Sequence, residues 1–72
     1  MIEVRGRSPL EKYSGWLPVV NDTDINGIFD MLGIPADLRS VILAIKDGRI
    51  VQHSEIVQDG SAVDLIVMPE GG

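Results

Sequence analysis

Three places in this 72-residue chain could do chemistry. The stretch DTDINGIFDMLG sets Asp22, Asp24, Asn26 and Gly27 at the first, third, fifth and sixth positions of a calcium loop, with Asp30 at the ninth. The twelfth position needs a bidentate glutamate and holds Gly33, so the pattern fails where the ion would be gripped. His53, the only histidine, has no cysteine or second histidine beside it to complete a metal site. No serine, cysteine or oxyanion loop is recognisable as its catalytic partner, and it reads as a solvated side chain. The third place is VMPEGG, Val67 to Gly72, where an apolar stretch gives way to a proline, an acid and two glycines. Loose ends tolerate almost any polar residue, so this sequence is either a cut end or the working end of the molecule.

The elements that must position these residues follow from periodicity. MIEVRGR alternates, with Ile2 and Val4 on one side and Glu3 and Arg5 on the other, as in a half-buried strand that Gly6 ends. WLPVV suggests a second strand through Leu17, Val19 and Val20, placed at an edge because Pro18 cannot donate a ladder hydrogen bond. Ile25, Ile28, Phe29 and Leu32 fall at i, i+3, i+4 and i+7, one face of a helix. Asp22, Thr23 or Asp24 can cap its first turn, Gly33 can end it in a left-handed conformation, and Pro35 prevents its resumption. PADLRS reads as a linker. VILAIKDGRIV then reads as two strands around an Asp47-Gly48 hairpin turn, and SAVDLIVM as a last strand after a second turn at Asp59-Gly60.

One helix against four or five strands predicts an α+β fold of the β-grasp (ubiquitin-like) type. Its mixed four- to five-stranded sheet carries the main helix on one face, with the final strand inserted beside the first. Residues 1–68 form the single domain in this reading, and residues 69–72 a flexible diglycine tail.

Composition narrows the partners. The absence of cysteine excludes a disulfide framework and thiolate sites and points to a reducing, cytoplasmic setting. The longest apolar run, Val41 to Ile45, is far short of a bilayer span, and MIEVRGR has no signal-peptide profile, so no membrane role is expected. A net charge of −5 argues against nucleic acid and predicts a partner with a basic docking face. Arg39, Lys46, Arg49 and Lys12 are scattered like a solvated surface, while Tyr13 and Trp16 are assigned to core or edge packing.

Strand alternation leaves a remainder. If Leu43, Ile45, Val63, Leu65 and Val67 face the helix, then Ile42, Ala44, Ile66 and Met68 point to the other side of the sheet, which one helix cannot cover. That strip is either a docking site or is covered by the N-terminal loop or a dimer partner.

In combination, LAIKDGRIV (Leu43 to Val51), DGSAVDLIVMPEGG (Asp59 to Gly72) and, more weakly, LEKYSG (Leu10 to Gly15) resemble the ubiquitin-like sulfur carriers of the MoaD/ThiS type. The likeness spans nearly the whole chain. Lys46 and Asp47 stand where that family more usually has asparagine and glycine, and the segment after Gly6 lacks the phenylalanine-alanine opening of many MoaD sequences.

The resemblance implies a carrier and not an enzyme. An ATP-dependent adenylating enzyme, using ATP and magnesium, would convert the Gly72 carboxylate to an acyl-adenylate. Sulfur would then displace AMP to leave a thiocarboxylate, for donation to a sulfur-accepting synthase of the thiamine or molybdopterin type. No cofactor would be bound. Gly71 would give clearance in the partner's site, since glycine lacks a Cβ. Pro69 and Glu70 would project the tail, with Ile42, Ala44, Ile66 and Met68 as the docking residues. A ubiquitin-like modifier conjugated through the same diglycine end, or a non-catalytic β-grasp interaction module, fits the same sequence.

Overall fold

The computed structural model describes residues 1–19 and 22–68. Five strands, β1 (Ile2–Gly6), β2 (Gly15–Leu17), β3 (Ile42–Lys46), β4 (Arg49–Val51) and β5 (Ala62–Val67), form one mixed sheet in the order β2-β1-β5-β3-β4. The last strand in sequence occupies the centre, parallel to β1 and antiparallel to β3. The main helix, α1 (Ile25–Leu32), lies on one face of the sheet, and its Ile25, Ile28 and Phe29 share a core with Ile2, Val4, Val63 and Leu65.

The ends of α1 are the best-determined part of the sequence. Asp24 is the N-cap, its carboxylate accepting from the Gly27 amide at 2.7 Å. The two amides before Gly27 are taken up from outside the helix: Ile25 N–H donates to the Glu55 carbonyl and Asn26 N–H to the His53 carbonyl. Every first-turn donor therefore has a partner, and residues 53–57 are tied to the helix start. Gly33 closes the other end with φ 69°, and Ile34 N–H reaches back to the Phe29 carbonyl.

The segment expected to be a plain linker contains one further helical turn, α2 (Ala36–Arg39), too short to show periodicity in sequence. Arg39 fixes it in place, donating from Nε to the Ile34 carbonyl at 2.8 Å and contacting Asp30 at 2.7 Å. The second strand is shorter and earlier than WLPVV suggested. It stops at Leu17, where Pro18 ends the ladder, and Val19 packs against the core while Val20 lies outside the described residues.

The expected β3–β4 hairpin forms about Asp47 and Gly48, at φ 54° and 77°. That pair of positive values suits a two-residue turn matched to strand twist.

Candidate functional site

Sheet register decides which side chains can meet a partner. Ala44 lies opposite Leu65 and Ile42 opposite Val67, so both β3 residues point with Leu65 toward the helix. Ile42 is 1% exposed and Ala44 0%. The expectation that these two face the open side is therefore corrected: they are core, and Leu43 and Ile45 take the outer positions. The physical cause is visible in the sequence, because Ile42, Leu43, Ala44 and Ile45 are all apolar and neither parity is marked. Lys46 shares the inner parity, yet its stem lies along the protein and its ammonium reaches Glu55 at 3.2 Å, leaving it only 14% exposed.

The open face has an apolar and a charged part. Leu43 lies opposite Ile66, and Ile45 lies opposite both Ile50 and Asp64, so β3, β4 and β5 build one apolar strip. Met68 continues it past the end of β5, its amide donating to the Val41 carbonyl. Ile50 and Met68 are exposed, while Leu43, Ile45 and Ile66 are half-buried and lie outside the core cluster. Leu10 and Tyr13 of the N-terminal loop pack on the core side, so that loop does not cover the strip. Trp16, expected to pack, is instead exposed on the open face opposite Glu3 of β1.

The charged part was missed as a site in the sequence, although the alternation of MIEVRGR already set Arg5 on the polar side. Arg5 lies opposite Asp64, with its Nε 2.7 Å from Asp64 Oδ1, and Arg7 Nη2 lies 3.7 Å from Oδ2. The short contact is an ion pair off the hydrogen-bond axis, since Asp64 Oδ1 is buried and accepts no aligned hydrogen bond. Other acidic residues lie off the strands: Asp24 and Asp30 belong to α1 and its cap, Asp37 lies in α2, the Glu55 carbonyl meets the start of α1, and Asp47 and Asp59 are in turns.

The other candidate positions have structural roles. Asp24 caps the helix, Asn26, Gly27 and Asp30 lie within it and Asp22 sits in the turn before it, and among the described residues no group of three or more potential ligands could hold a metal ion. His53 is not a free solvated residue. Its Nε2 lies 2.9 Å from the Ile42 carbonyl, and its ring meets Phe29 edge-on at 4.9 Å. Asp59 pairs with the terminal ammonium of Met1, whose hydrogen bond and charge hold the carboxyl below the usual aspartate range. Pro69, Glu70, Gly71 and Gly72 lie outside the described residues. Among the described residues no helix is long and apolar enough to cross a membrane.

No family model, no curated protein and no solved structure matches this chain.

Proposed function

We propose that this chain is a ubiquitin-like sulfur carrier with a β-grasp fold. The observation that carries the reading is the central position of β5, parallel to β1 and flanked by β3, in a chain whose sequence runs from that strand through Pro69 and Glu70 to Gly71 and Gly72. The order β2-β1-β5-β3-β4, with one main helix on a single face, is compatible with a β-grasp.

In this reading an oxygen of the Gly72 carboxylate attacks the α-phosphorus of ATP in an adenylating enzyme, and pyrophosphate leaves. A sulfur nucleophile then adds to the acyl carbon and AMP departs, leaving the thiocarboxylate. The carrier contributes no catalytic side chain. Its part is to seat a slim tail in another protein's site, and two residues without a Cβ suit that task. The docking face is Leu43, Ile45, Ile66 and Met68, with Ile42 and Ala44 withdrawn from it.

Intact mass spectrometry of the protein from its native host tests the reading, the expected result being replacement of one terminal oxygen by sulfur on Gly72. Deleting Gly71 and Gly72 should abolish ATP-dependent pyrophosphate release with the adenylating enzyme while leaving the fold intact. Unchanged release in that truncation would overturn the carrier reading. A diglycine remnant on lysines of other proteins, without any thiocarboxylate, would replace it with the modifier reading.

A further inference from the structure

We infer that the open sheet face receives an acidic, apolar segment of the activating partner, the opposite charge to that suggested by the whole chain. The inference rests on the proposed function for the identity of that partner, and on the geometry of the face for its chemistry.

Along β1, the residue after it and β5, the charged side chains on the outward parity are Glu3, Arg5, Arg7 and Asp64. They do not present themselves equally. The Asp64 side chain is 20% exposed beneath the two guanidinium groups, whereas that of Arg7 is 63% exposed. Arg7 also sits 3.7 Å from its carboxylate partner, beyond a direct hydrogen bond, so its fork of donors is available to a second carboxylate. Glu3 stands off toward the β2 edge, opposite Trp16 and Ala62. What an approaching surface meets is thus Leu43, Ile45 and Ile66 bordered by arginine. Apolar side chains spaced by a carboxylate complement that border, and a lysine there would meet like charge.

The chain's net charge of −5 makes the inference sharply testable, because non-specific attraction favours basic ligands. Two synthetic peptides of identical apolar content serve as probes, Leu-Glu-Ile-Glu-Leu and Leu-Lys-Ile-Lys-Leu with blocked ends, titrated into the isotope-labelled full chain and followed by amide shifts. The glutamate peptide should perturb Leu43, Ile45, Asp64 and Ile66 at lower concentration than the lysine peptide. Arg7→Ala should weaken it about fivefold, the worth of one exposed charge contact. Paired Arg5→Glu and Arg7→Glu substitutions should reverse the preference. Equal or tighter binding of the lysine peptide at these residues, or no binding of either there, would overturn the inference. Neither peptide involves the tail, so such a failure leaves the thiocarboxylate measurement to decide the carrier reading separately.

Discussion

His53 Nε2 lies 2.9 Å from the carbonyl oxygen of Ile42, and the two residues would pair if the β3–β4 ladder ran two residues further. The register pairs Ala44 with Val51, so two further residues on each strand would bring Ile42 opposite residue 53. The backbone has left the ladder by then, because the His53 carbonyl accepts from Asn26 at the start of α1. The imidazole supplies the missing donor instead, with its ring edge on Phe29. One side chain thus joins the sheet to the helix. His53→Ala should cost about 2 kcal/mol, from an orphaned carbonyl and a lost aromatic contact. His53→Gln, able to keep the hydrogen bond, should cost less. Chemical denaturation of both variants measures the difference, and equal stability of wild type and His53→Ala would refute the bridging role.

Gly6 is required by a close approach and not by its backbone angles. A Cβ built on it would lie 1.9 Å from the Leu10 carbonyl oxygen, and Leu10 is a core residue. Its amide also donates to Ser14 Oγ at 2.9 Å, a second tie between this strand end and the loop. Gly6→Ala must displace the loop from the core, at about 1–3 kcal/mol by analogy with overpacking. That is a fall in melting temperature of roughly 4 °C or more for a domain this small.

Legibility in the sequence followed how strongly each segment marked its own pattern. The helix was readable because Asp24, the four apolar positions from Ile25 to Leu32 and Gly33 all agree on one element. β5 was readable because Asp64 interrupts its apolar run and fixes which parity is outward. β3 carries no such mark, and its inner charged residue, Lys46, argues for the wrong face because its stem is buried while its head finds Glu55. For α2, four residues hold too little sequence to show a helical period. The arginine border was missed for a different reason: the final strand was expected beside the first, but nothing in either strand marks the register that sets Arg5 opposite Asp64 with Arg7 close by.

The ion pair between Asp59 and the Met1 ammonium predicts a pH effect with a definite sign. Hydrogen bonding to the ammonium, and then its charge, lower the Asp59 carboxyl from its ordinary value of 3.8. A carboxyl depressed in the folded state stabilises it at pH values above the unfolded value, and that contribution is lost as pH falls through the folded one. Carbon-detected titration should find Asp59 ionised at pH values where an ordinary aspartate has begun to protonate. Acetylating the terminal amine should return its midpoint toward the ordinary range.

Adjacent residues of β3 allow the two faces of the sheet to be separated with a single kind of substituent. Thr is a good strand former, so Leu43→Thr and Ala44→Thr both retain the strand's intrinsic preference and differ in where the new side chain points. At position 44 it enters the core opposite Leu65, adding volume to a closed site and burying a hydroxyl without an assigned partner. The combined cost is about 3 kcal/mol, a large part of the whole stability of so small a domain. At position 43 the substitution trims a half-buried leucine on the open face beside Ile66, for about 1 kcal/mol. Under the proposed function the functional cost is reversed: Leu43→Thr should fold normally but be thiocarboxylated more slowly at limiting adenylating enzyme, while the folded fraction of Ala44→Thr should be processed at the normal rate. Denaturation curves read the first half of this prediction and rates of thiocarboxylate formation the second. A destabilised Leu43→Thr beside an unaffected Ala44→Thr would reverse the assignment of faces and remove Leu43 from the docking surface.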